Sequence, residues 1–189
     1  MEVTEAVDDS EAVVADIWRH LRRGLKDRHS AFHTPTLVTT HNGLPEPRTV
    51  VLRLADAEPR IIGCHTRADA GKIGQIQSQP RVAWHVYDKA AKLQIVCHGT
   101  ARVSLDDELA EDRWSRTSHG SRACYRRIPT PGQEVDNWLA DEAGDGRDRF
   151  AVIVSEVNRI DWLYLHHSGH HRWTFDFSGG TWSATRRAP

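Results

Sequence analysis

Apolar side chains recur at Val14, Ile17, Trp18, Leu21 and Leu25, a spacing of three to four residues that predicts an amphipathic helix over 11–27. Ser10 is placed to cap it, and Gly24 lies near its end. The period then shortens. Residues 36–40 read as a strand, His41-Asn42-Gly43 as a turn tolerant of positive φ, and 48–54 as a second strand after Pro45 and Pro47. A turn at 56–59 leads to a third strand at 60–66, and 68–78 fits a short helix ending before Pro80. Strands follow at 82–87 and 93–103, the latter long enough to bend. Ser104 as N-cap with Asp107 in the capping-box position predicts a helix to about Arg116. Residues 117–132 read as irregular and basic, 133–140 as a short helix and 141–147 as a polar loop. The chain closes with strands at 150–160, 161–166, 172–177 and 181–185, the last two joined by a turn at Ser178-Gly179-Gly180.

Hairpin-linked strands with helices inserted between them predict a mainly β, α+β fold: an antiparallel, Greek-key-like barrel with peripheral helices. At 189 residues one domain is expected, with 1–30 as a helical segment packed on a barrel formed by 31–189. A formal net charge of −1 gives no global basic field, so a nucleic-acid partner is not expected. The apolar runs are too short to span a membrane, and the acidic start lacks the pattern of a signal peptide. Three cysteines without a CxxC pair fit reduced thiols, and a cytoplasmic location is expected.

The candidate chemistry begins at Arg48-Thr-Val-Val-Leu-Arg53, continues through His65-Thr66 and Lys72, and ends at Gln94. Two arginines at strand ends, a threonine hydroxyl and a lysine near a helix start can together hold one phosphate. Arginine offers a planar fork of donors and lysine a point charge. Free N–H groups at the helix start add to them. The same charges also fit an ordinary solvated surface.

This constellation resembles the FMN-binding half of the pyridoxamine 5′-phosphate oxidase family. Gln79-Pro80-Arg81-Val82-Ala83 is similar to that family's strand entry, and Trp162, Arg172, Trp182 and the closing Arg186-Arg187-Ala188-Pro189 keep its order and spacing. The resemblance implies a flavin-type split β-barrel binding FMN between two identical subunits. Arg48, Arg53, Thr66 and Lys72 would then hold the FMN phosphate and ribityl chain, while Val51, Leu52 and His65 line the flavin. Gln94 would meet the polar edge of the ring, and Trp162 and Arg172 would reach the cofactor from the second subunit. Arg116, Ser121 and His170 would contact a small-molecule substrate.

Departures from the family pattern bear on the reaction. Arg53 stands where the family usually has lysine, Gly71 replaces an arginine beside Lys72, and the substrate-binding Arg-x-His becomes Ser168-Gly169-His170. The resemblance therefore implies an FMN-dependent oxidoreductase in which pyridoxamine phosphate is not the expected substrate. A non-catalytic flavin-binding or redox-sensing protein, and a relative binding deazaflavin or haem, stay open. His166-His167 and His170-His171 flank a hairpin tip, where neighbouring side chains alternate in direction, and no metal site is expected there. Trp18, Trp84, Trp114, Trp138, Trp173 and Trp182 read as packing residues. The basic run 122–127 reads as a loop near an anionic substrate.

Overall fold

A computed structural model describes residues 7–135, 144–179 and 181–189. Helix α1 spans Ser10–Lys26 and buries Val13, Ile17, Trp18 and Leu21. Asp9 caps it in place of Ser10, its carboxylate accepting from the N–H groups of Glu11 and Ala12 at 3.0 and 3.2 Å. Ser10 is thereby drawn into the first turn. Gly24 lies in the helix's last turn, near the end as expected. It is buried, and its carbonyl accepts from His33 Nδ1 at 2.7 Å.

Among the described residues nine strands form one antiparallel sheet: β1 (Thr36–His41), β2 (Leu44–Thr49), β3 (Leu52–Asp56), β4 (Ile61–Arg67), β5 (Arg81–Asp88), β6 (Leu93–Ser104), β7 (Phe150–Tyr164), β8 (His171–Asp176) and β9 (Ser183–Arg187). The main path runs β2-β1-β5-β6-β7-β4-β3, with β8 and β9 added beyond β7. Asn42 and Gly43 turn β1 into β2 with φ of 50° and 79°, the positive pair that an Asn-Gly hairpin supplies. Pro45 and Pro47 are tolerated because β2 is an edge strand.

Strand and helix boundaries differ from the sequence expectation in five places. The single strand expected over 48–54 is two strands, because β2 pairs with β1 and β3 with β4 at opposite ends of the sheet. The two strands expected at 150–160 and 161–166 are one, since β7 runs unbroken beside β6 and a single bulge between His98 and Gly99 absorbs the bend. Ser104 ends β6 instead of capping α3 (Glu108–Ser115); Asp107 caps that helix, accepting from the Ala110 N–H at 3.0 Å. The region expected to be irregular contains α4 (His119–Arg126), capped by Ser118. Helix α2 starts at Gly71, later than expected, and ends at Ser78. Of the helix expected at 133–140, residues 136–140 lie outside the described residues, as do Trp138 and Gly180.

The sheet does not close. Its two ends, β2 and β3, are consecutive in sequence, and only Val50 and Val51 pass between them. Val50 is fixed there by its N–H, which donates to the Pro35 carbonyl at 2.9 Å. The main core lies under α1, with Trp84 Nε1 satisfied by Ser155 Oγ at 3.0 Å. A smaller cluster of Leu54, Trp114, Tyr125, Phe150, Val152 and Val154 packs α3 and α4 against β3 and β7. The functional cleft opens between that cluster and the seam.

Candidate functional site

The seam between β2 and β3 places Arg48 and Arg53 on either side of a two-residue crossing, and α2 brings Lys72 to the same place. Together with His65 and Thr66 of β4 they line a cleft of about 590 Å³. Its far wall comes from α3 and α4 and includes Arg113, Arg116, Ser121 and Tyr125. Arg28, just beyond α1, also borders it. Among the described residues that line it there is no aspartate or glutamate.

The cations at the seam are held by neutral acceptors. Arg48 NH2 donates to Gln75 Oε1 at 2.9 Å and Arg48 NH1 donates to Thr39 Oγ1, while Lys72 Nζ donates to Thr66 Oγ1 at 3.0 Å. Burial draws both Arg48 and Lys72 below their ordinary pKa values, and for Lys72 the nearby Arg48 charge adds to it. At Arg48 the Glu46 charge only partly offsets this burial, and an anionic ligand would offset the rest. The far wall differs: Arg116 is exposed and paired with Asp112, its NH2 2.7 Å from Oδ1. Arg113 Nε sits 3.5 Å from Asp112 and makes no hydrogen bond.

His65 lies between the two groups. Its pKa is pushed down to about 4, first by burial and then by the charges of Arg53 and Arg113. The ring is therefore neutral at physiological pH, edge-on to Phe150 at 4.9 Å, and its buried Nε2 has no hydrogen-bond partner. An orphaned ring nitrogen at a cleft wall is a ready contact for a polar ligand atom. Cys64, behind Lys72, is pushed up to about 12 by burial and stays a thiol.

The cleft thus collects Arg48, Val51, Arg53, His65, Thr66 and Lys72 with Arg116 and Ser121. It does not collect the rest. The Leu52 side chain is wholly buried in the core, which leaves only its backbone near the seam. Trp162 belongs to the main core: its indole is 1% exposed, packed inside its own chain, because from Ile160 on β7 alternates buried and half-buried residues. Gln94 pairs across the strands with Leu163, and Leu163 with Arg172, so the three lie in one row on the opposite face of the sheet. His170 is exposed at the tip between β7 and β8. Beside it, His166 and His171 stack near Tyr164, and no cluster among the described residues is suited to a metal.

Sequence reasoning missed Arg113, Arg28 and Gln75. Arg113 stands three residues before Arg116, and Gln75 three after Lys72, a spacing that puts each pair on one helix face. Arg28 had no such signal. The basic run of α4 is also structural: Arg122 lies over the Trp114 ring at 4.6 Å and donates to the Trp114 carbonyl at 2.9 Å.

Residues 15–105, from α1 through β6, match the family model described as pyridoxamine 5′-phosphate oxidase, FMN-binding domain. Over that segment the chain is similar to the pyridoxamine 5′-phosphate oxidase-like family. The match contains Arg48, Arg53, His65, Thr66, Lys72 and Gln94, and ends before the wall made by α3 and α4. Among solved structures, a pyridoxamine 5′-phosphate oxidase-related, FMN binding protein from Nostoc punctiforme is 22% identical with a TM-score of 0.74, over 93% of this chain and 96% of that one. PhzG from Burkholderia lata, in complex with tetrahydrophenazine-1-carboxylic acid, is 16% identical with a TM-score of 0.74, over 98% of this chain and 96% of that one. A Clostridium acetobutylicum protein related to general stress protein 26 is 10% identical with a TM-score of 0.59, over 88% of this chain and 96% of that one. These likenesses establish the fold, an open split-barrel-like α+β sheet. No curated protein sequence matches the chain.

Proposed function

We propose that the protein is an FMN-dependent oxidoreductase that acts on a small substrate and works as a homodimer. One observation carries the reading: Arg48 and Lys72 stand part-buried at the seam, held by neutral side chains, in a cleft that no carboxylate lines among the described residues. Such an end suits a terminal phosphate, and the cleft volume of about 590 Å³ is within the range for cofactor sites. The family match over the same residues favours FMN as the phosphate's carrier. FMN supplies hydride-transfer chemistry when bound, so the chain needs no nucleophile of its own. The chain's part is to bind and orient: Arg48, Lys72 and Thr66 at the phosphate, His65 and Val51 along the flavin, Arg116 and Ser121 toward substrate. Gln94 and Arg172, on the other sheet face, are the contacts a second copy would contribute.

The test is the visible spectrum of the purified protein. A yellow protein that releases FMN on denaturation is expected; a colourless one that takes up no FMN sinks the reading. A non-catalytic flavin-binding role is favoured by Ser168 and His170, which stand exposed at a hairpin tip and do not line the cleft of their own chain. Bleaching of the bound flavin by candidate reductants, followed by reoxidation in air, separates the two.

A further inference from the structure

The phosphate end of the cleft contains a device that the flavin reading does not require. Thr39 of β1 is 1% exposed, Gln75 projects from α2, and Arg48 reaches across from β2 between them. Gln75 Oε1 accepts twice, from Thr39 Oγ1 at 2.5 Å and from Arg48 NH2 at 2.9 Å, and Thr39 Oγ1 itself accepts from Arg48 NH1. Arginine only donates, so it is the amide oxygen of Gln75 that must face it. Both terminal nitrogens of the guanidinium are therefore oriented from behind by oxygens that carry no net charge. A carboxylate in the place of Gln75 would orient Arg48 equally well, but would neutralise it.

We propose that Gln75 and Thr39 are positioning residues that fix the Arg48 guanidinium toward the ligand's phosphate, and that an amide at position 75 keeps the arginine charge available to it. The inference rests on the reading of the cleft as an FMN site. Gln75 selects for a phosphorylated ligand without touching it. Its position in the helix supports this: Lys72, one turn earlier on the same face, is oriented in the same way by Thr66 at 3.0 Å. Helix α2 thus presents one cation and one clamp toward the seam, while Ile73 and Ile76 anchor it in the core.

The experiment compares FMN with riboflavin, which lacks the phosphate, by flavin fluorescence quenching on apoprotein of the wild type, Gln75→Glu and Thr39→Val. The wild type is expected to prefer FMN. In Gln75→Glu that preference is expected to shrink by about tenfold or more, through FMN affinity alone, because the charge-assisted contact is lost to an internal ion pair. The apoprotein's melting temperature should hold or rise, since the new carboxylate pairs with Arg48. Thr39→Val, which removes one acceptor without adding charge, should lower FMN affinity and leave riboflavin affinity unchanged. A purely structural role predicts the reverse pattern, with both flavins and the melting temperature falling together, and that result overturns the inference. If the wild type does not prefer FMN, the FMN reading falls and takes this inference with it. If the wild type prefers FMN and Gln75→Glu keeps the ratio, only the inference falls.

Discussion

Arg48 and Lys72 are part-buried cations whose hydrogen-bond partners at the seam are neutral, and their replacement should register in binding before it registers in folding. Removing either by alanine deletes a charge-assisted contact worth about 1.5–3 kcal/mol, so FMN affinity should fall roughly 10- to 100-fold for each. Titration of the apoproteins with FMN measures it; unchanged affinity in both variants would place the phosphate elsewhere. His65 gives a second prediction with a definite sign. Its pKa is about 4 in the folded chain against 6.5 for a free imidazole, because burial and then Arg53 and Arg113 oppose its protonation. The unfolded chain therefore binds the proton first as pH falls. Native stability contributed by neutral His65 is full above about 6.5 and is lost progressively toward about 4, a loss on the order of 1–3 kcal/mol. Urea unfolding of the wild type and His65→Leu at pH 7.5 and pH 5 reads it. The wild type should lose more stability than the variant on acidification, and equal losses would show that the ring is protonated without cost. Added FMN should leave the sign unchanged.

The elements divide by how much of their structure is local. Helix α1 and the turn between β1 and β2 were legible in the sequence, because a three-to-four period and an Asn-Gly pair are short-range signals. The break at Val50 and Val51 was not, since Arg48 to Leu54 is a plausible strand until its two halves are required by different partners. Nor was α4 legible: its buried contact is the single residue Tyr125, against a cluster contributed by α3 and β7. The cleft was half legible for the same reason. Its floor comes from neighbouring strands and one helix with patterned charges, whereas Arg28 and Arg113 arrive through long-range packing. Gly24 shows how tertiary contact reverses a local rule. Alanine in place of glycine inside a helix ordinarily stabilises by about 1 kcal/mol. Here a Cβ on Gly24 would lie 2.5 Å from the Phe32 carbonyl oxygen, backbone that cannot swing aside. Gly24→Ala should therefore destabilise, by about 1–3 kcal/mol as overpacking does, in a denaturant titration. A gain in stability would mean that α1 is free to shift away from the Ala31–His33 turn.

At the scale of the whole molecule, the open sheet separates the expected flavin contacts into two groups. One lines the cleft at the seam; the other, Gln94 and Arg172, shares the outer face of β6, β7 and β8 with Val96 and the Asp161 network. On that face Asp161 is met by Arg159 at 2.9 Å, His98 at 3.4 Å and Thr174 Oγ1 at 2.9 Å. The two groups serve one ligand only if the outer face of one copy meets the cleft of another. Dimerisation and flavin binding should then fail together. Val96 is the place to test this, because it is half-buried on the outer face, far from any cleft-lining position in sequence register, and lies directly across from Asp161. An arginine there sits beside a carboxylate in the monomer, which the fold tolerates, but introduces a bulky charge into the face that two copies would share. Val96→Arg is expected to elute as a monomer where the wild type elutes as a dimer, with its melting profile still cooperative and its FMN affinity reduced at least about tenfold, the loss of one or two polar contacts. Light scattering on the eluted protein and FMN titration of the same fractions give both quantities. A variant that stays dimeric and binds FMN as before would remove this face from the interface, and with it the role of Gln94 and Arg172 in a shared site.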